Sequence, residues 1–106
     1  MELRVLQYFL AIAREENISK AAEYLHITQP TLSRQIKELE EELGKTLFIR
    51  GNRKIILTED GMLLRKRAEE ITNLVEKTEL EMMANESILK GDIYIGGGET
   101  DAMRFI

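Results

Sequence analysis

The chain has 106 residues, of which 43% are hydrophobic, a formal net charge of -4 and no cysteine. Such a length and apolar content suffice for one small domain with an appendage but not for two independent cores, and the missing cysteines exclude a disulfide framework and a thiolate zinc site. The opening MELRVLQYFLAIAREE is interrupted by Arg4 and by Arg14, Glu15 and Glu16, which argues against a secretory leader or membrane span and predicts a cytoplasmic protein.

Leu3, Leu6, Phe9, Leu10 and Ala13 recur as one stripe of a first helix that ends near Glu15, Glu16 and Asn17. Apolar residues at this spacing read as scaffold. A second helical pattern follows, with Ser19 as the expected N-cap and Ala21, Ala22 and Leu25 on one face. The break at His26, Ile27 and Thr28 is too short for a strand. Thr28 reads as a second N-cap, with Pro30 in the first turn, where a missing N–H is harmless.

In the helix so begun, over 28–43, Leu32, Ile36, Leu39 and Leu43 form a buried stripe. At about 100° per residue, the opposite side carries Pro30, Arg34 and Lys37, flanked by Thr31 and Ser33. These residue types suit a DNA major groove. A small first turn lets the helix end approach base edges, Gln29 matches the paired donor and acceptor of adenine, Arg34 matches guanine or a phosphate, and Pro30 or the Thr31 methyl can meet a thymine methyl. Two helices joined by a tight break, the second opening on small polar residues, constitute a helix-turn-helix, with Ser19, Thr28, Gln29, Pro30, Thr31, Ser33, Arg34 and Lys37 as DNA-contacting candidates. The acidic run Glu38, Glu40, Glu41 and Glu42 reads as solvated helix surface beyond the groove.

Gly44 follows the last apolar residue and is expected in the left-handed conformation that stops the helix. Thr46–Ile49 and Lys54–Leu57 are short β-prone runs around Arg50, Gly51, Asn52 and Arg53, a hairpin with Gly-Asn as the tight-turn pair. Arg50, Arg53 and Lys54 at its tip predict phosphate or minor-groove contact. Thr58 then caps a long helix whose first turn holds Glu59 and Asp60. Leu64, Ala68, Ile71, Val75, Thr78 and Met82 alternate in steps of four and three, the pattern of a coiled-coil seam. Leu63, Leu74, Leu80 and Met83 lie beside it, and the surplus of apolar surface predicts a homodimer.

The net acidity is unevenly placed: residues 1–58 hold nine basic and eight acidic residues, whereas residues 59–106 hold six and eleven. Lys45, Arg50, Arg53 and Lys54 fall in a run free of acids, the local footprint that matters to a phosphate backbone. Near the end, Gly91 is expected to close the long helix, Asp92–Ile95 to form a strand and Gly96–Thr100 a turn. That glycine-rich turn matches neither a phosphate-loop nor a dinucleotide fingerprint. His26, the single histidine, has no partner at metal-ligand spacing, and no nucleophile–base pair or carboxylate dyad is present. No catalytic site, metal or cofactor is expected.

The stretches LQYFLAIAREENISKAAEYLHITQPTLSRQIKELEEELGKTLFIR and LTEDG, a collinear match from Leu3 to about Gly61, resemble the N-terminal part of LysR-type transcriptional regulators. The resemblance implies a mainly α fold in three parts. Residues 1–58 form a winged helix-turn-helix of three helices and a two-stranded wing, residues 59–90 a linker helix that dimerises, and residues 91–106 the start of a two-lobed effector-binding domain essentially absent from this chain. It further implies a sequence-specific regulator that binds double-stranded DNA at an inverted repeat as a homodimer, or as the tetramer the family often forms. A small-molecule effector would be held only by the missing domain. Two other functions remain open from the residues themselves: a pure dimerisation module and an architectural DNA binder indifferent to sequence.

Overall fold

The computed structural model describes residues 1–89, and the side chains of residues 1–84. The expected strand and turn after residue 90 lie outside the described residues. In chain order the elements are α1 (Leu3–Glu15), α2 (Ile18–Leu25), α3 (Gln29–Leu43), β1 (Phe48–Arg50), β2 (Ile55–Leu57) and α4 (Glu59–Leu89). Three helices, a two-stranded wing and a long helix are the architecture that the sequence predicts.

The three helices close around Val5, Phe9, Ile12, Ala21, Ala22, Leu32, Ile36 and Leu39. Ala21 and Ala22 are the buried residues of α2, and their small side chains let that helix lie close to its neighbours. The expected α1 stripe is rotated. Val5, Ala11 and Ile12 are buried beside Leu6 and Phe9, while Leu3, Leu10 and Ala13 remain partly exposed. The cause is that α1 is packed by α2 and α3 and also by β2, so a broader and shifted face is covered. Phe9 is fully buried, and its ring meets Phe48 at a centroid distance of 5.1 Å and 38° between planes. Removing such a side chain from water contributes about 1.5–3 kcal/mol.

Both turns of the motif end in the same backbone device. At α3, the Gly44 amide donates to the Glu41 carbonyl at 3.3 Å and the Lys45 amide to the Glu40 carbonyl at 3.1 Å, with Gly44 at φ 67°. At α2, His26 donates to Glu23 at 3.2 Å and Ile27 to Ala22 at 3.0 Å, with His26 at φ 61°. These paired bonds satisfy orphan carbonyls and reverse the chain sharply. The N-cap of α2 differs from expectation. Asn17, not Ser19, accepts from the Lys20 amide at 2.8 Å, so the helix begins earlier and Ser19 sits inside its first turn. Thr28 caps α3 as expected, accepting from the Thr31 amide at 3.3 Å.

The wing strands are antiparallel, with Phe48 paired to Leu57, Ile49 to Ile56 and Arg50 to Ile55. The connection is a four-residue loop, Gly51 to Lys54, closed by the Gly51 amide donating to the Lys54 carbonyl at 2.8 Å, and not a two-residue Gly-Asn turn. The side chains of Phe48, Ile55 and Leu57 pack on the helical core, while Ile49 and Ile56 face outward.

The start of α4 is clamped to the chain leading into the wing. Thr58 accepts from the Gly61 amide at 3.0 Å, donates its hydroxyl to the Thr46 carbonyl at 2.6 Å, and donates its own amide to the Leu47 carbonyl at 3.0 Å. Residues Met1 to Thr72 form one compact unit. Leu64 packs on the winged core and Ala68 is fully buried within the single chain, so Ala68 has no surface left for the dimer seam assigned to it.

Gly61 is buried, and a Cβ there would run into the Leu47 carbonyl and lie 3.0 Å from Leu57 Cδ2. Gly61→Ala should therefore lower stability by about 1–3 kcal/mol although alanine is the better helix former. Urea unfolding of the variant measures this, and an unchanged midpoint would show that the Leu47 peptide moves aside freely.

Candidate nucleic-acid interface

The first turn of α3 and the wing face a common groove. Glu16, Asn17, Ile18, Ser19, Gln29 and the wing residues Arg50–Ile55 line a concavity of about 240 Å³. Of the residues singled out in the sequence, it therefore brings together Ser19, Gln29, Arg50, Arg53 and Lys54. Thr28, Pro30, Thr31, Ser33 and Arg34 continue from it along α3. Thr28, Pro30 and Arg34 are exposed, and Thr31 and Ser33 are half-buried. Lys37 lies apart, in a shallower depression with Glu40, Glu41, Gly44, Lys45 and Thr46. The recognition face is thus small and polar at its N-terminal end and turns acidic beyond Lys37.

Each side chain is held by local chemistry. Thr28 donates its hydroxyl to the Thr31 hydroxyl at 2.8 Å, which fixes both at the helix start. Ser19 donates to Gln29 Oε1 at 3.0 Å, joining α2 to the first residue of α3. Arg34 lies 3.8 Å from Glu38 one turn on, and both are well exposed, so the pair is loose and the guanidinium can exchange it for another anion. On the wing, Lys54 pairs with Glu16 at 3.6 Å, whereas Arg50 and Arg53 have no ion pair among the described residues. The two arginines therefore carry the unbalanced positive charge at the tip.

Two acidic residues that position this surface were not identified from the sequence. Glu16 adopts φ 58°, and its carbonyl accepts the Ile55 amide at 3.0 Å while its carboxylate meets Lys54, so the end of α1 anchors the second wing strand. Glu40, expected as plain helix surface, turns its Oε2 to the amides of Leu47 at 2.7 Å and Phe48 at 3.4 Å. A carboxylate accepting backbone N–H groups makes a charge-assisted bond, stronger than a neutral one. Non-glycine residues in the left-handed region and acid-to-amide bonds leave no periodic signal by which to find them.

The Arg14 guanidinium lies 4.1 Å over the Tyr24 ring. Its pKa is raised, chiefly by the hydrogen bond to Glu15 and then by Tyr24, so the charge is fixed. Among the described residues, no group of three or more His, Cys, Asp or Glu is placed to hold a metal, and no helix is long and apolar enough to cross a membrane.

Residues 3–62 match the family described as bacterial regulatory helix-turn-helix protein, lysR family. The HTH-type transcriptional regulator BsdA of Bacillus subtilis (strain 168) is 42% identical over 97 residues, covering 91% of this chain and 33% of its own length. The DNA-binding transcriptional dual regulator OxyR of Escherichia coli (strain K12) is 41% identical over 98 residues, covering 91% of this chain and 32% of its own. Among solved structures, the BenM DNA-binding domain in complex with catB site 1 DNA aligns with a TM-score of 0.79 at 41% identity, over 82% of this chain and 98% of that one. The CbnR DNA-binding domain in complex with DNA aligns with a TM-score of 0.77 at 37% identity, over 81% of this chain and 99% of that one. The chain spans about a third of the length of BsdA and OxyR.

If the wing tip touches the DNA backbone, replacing Arg50 and Arg53 with Ala should weaken binding to specific and random duplexes alike. It should also flatten the log–log salt dependence by about 0.9 for each phosphate that is no longer neutralised. A salt slope equal to that of the unmodified chain would remove the wing tip from the interface.

Proposed function

The chain belongs to the lysR family of bacterial regulatory helix-turn-helix proteins, and from that premise we propose that it is the DNA-reading and dimerising portion of a sequence-specific transcription regulator acting in the cytoplasm. The observation that carries this reading is the convergence of the α3 N-terminus and the wing arginines on one groove. Gln29, Pro30, Thr31, Ser33 and Arg34 enter the major groove with the end of α3, whose free N–H groups also favour a phosphate. Arg50 and Arg53 reach the flanking backbone or minor groove, and Lys37 marks the far limit of contact. Thr28 shapes the helix start, and Lys54 supports the wing through Glu16.

One short recognition helix reads only a few base pairs, so useful specificity requires two at a fixed separation. We place the dimer surface on α4. Ile71, Leu74 and Met82 are exposed there, and with Val75 and Thr78 they share one side of the helix at about 100° per residue. Thr78 donates its hydroxyl to the Leu74 carbonyl at 2.7 Å, so it enters an apolar seam with its donor already satisfied. The partner is a second copy of the chain, and the DNA is an inverted repeat.

Selection of bound sites from random duplexes should return two inverted half-sites at one spacing. Recovery of no common sequence would favour an architectural binder instead. Ile71→Asp with Val75→Asp places unpaired charges in the seam and should yield monomers whose winged unit remains folded. Binding to the two-site duplex should then fall to that of a single half-site. Sedimentation of this variant as an intact dimer would put the interface elsewhere.

A further inference from the structure

The hydrogen bond from Ser19 to Gln29 bears directly on base reading. A glutamine amide has a donor end and an acceptor end, and a free side chain presents either to a base by turning about its last torsion. Here the Ser19 hydroxyl donates to Oε1 at 3.0 Å, and among the described residues no hydrogen bond engages Nε2. The amide is thereby tied to α2, and because a hydroxyl donates or accepts, the tie fixes its place and leaves the other end for a ligand. Ser19 is exposed, is not the cap of its helix, and lies in the groove shared with the wing, so stability alone leaves its hydroxyl unexplained.

We infer that Ser19 is a positioning residue for Gln29, holding the side-chain amide in one place at the groove. It thereby sharpens the preference at that position for a base edge that meets an amide held there. The inference rests on the proposed DNA-reading role of α3. Adenine remains the best match, because the second lone pair of Oε1 is free to accept from N6 while Nε2 donates to N7. Without Ser19 the amide is no longer held in place, and bases that it meets only by moving become acceptable. Ser19 therefore acts by excluding wrong bases, with no base contact of its own.

The test is site selection from random duplexes with the unmodified chain, Ser19→Ala, Ser19→Thr and Gln29→Ala, together with the salt dependence of binding and the unfolding midpoint of each. Ser19→Ala should relax preference at the one base pair that Gln29→Ala also affects, by roughly three- to tenfold, the worth of one hydrogen bond. Its unfolding midpoint and salt slope should be unchanged. Ser19→Thr, which restores a hydroxyl, should recover the preference. Two results would overturn the inference: an unaltered base preference in Ser19→Ala, or equal weakening on all duplexes with a shallower salt slope, which would make Ser19 a phosphate contact. If the unmodified chain selects no sequence, the proposed function itself fails and takes this inference with it.

Discussion

The peptide at Leu47 is the point from which the functional surface is suspended. Its side chain is fully buried, its amide is given to the Glu40 carboxylate, and its carbonyl receives the Thr58 amide while Gly61 passes against it. One residue thus ties the last turns of α3, the start of the wing and the first turn of α4. Each tie satisfies a backbone group that would otherwise be stranded as the chain leaves regular structure. A two-stranded ribbon is marginal by itself, and this wing holds its position through Leu47, through Phe48 on Phe9, and through the bond from Ile55 to Glu16.

Much of this architecture is legible in the sequence because periodicity and capping are local signals. Leu32, Ile36 and Leu39 are buried as their spacing requires, Thr28 and Thr58 cap the helices they precede, and Gly44 takes the left-handed stop. The failures share a different cause. Ser19 reads as a cap because serine commonly is one, but Asn17 competes two residues earlier and wins with an equally suitable side chain. His26 and Glu16 adopt a conformation usually left to glycine, and only the packing of helices on either side imposes it. Ala68 fits a seam by spacing, yet it is already fully buried within the single chain. In each case a neighbouring cap, helix packing or burial decides what the residue type alone leaves open.

The candidate interface shows the same division between what is local and what is assembled. The small polar start of α3 is visible in the sequence, and so is the basic wing tip. That Gln29 and Arg50 border one groove depends on the reversal at His26 and on the anchoring of β2 to α1, which no window of residues contains. Charge follows the assembly too. Glu16 offsets Lys54 and Glu38 loosely holds Arg34, so the field at the groove comes chiefly from Arg50 and Arg53 and not from the number of basic residues in the segment. A net charge of -4 is compatible with phosphate contact because screening over about 10 Å makes nearby charge outweigh the rest.

Clamping α4 at its first turn also constrains how two copies could read DNA. Leu64 packs on the winged core, and Ala68 one turn further on is fully buried, so the start of that helix belongs to the same compact unit as α3. In the proposed dimer, the residues left for the seam begin at Ile71, just beyond the part of the helix already committed to the core. A duplex whose half-sites lie at another spacing could be met by that dimer only at the cost of straining the helix or the DNA. Gly61 matters to this surface through the backbone alone, since displacing the Leu47 peptide would shift the wing and the α4 start together.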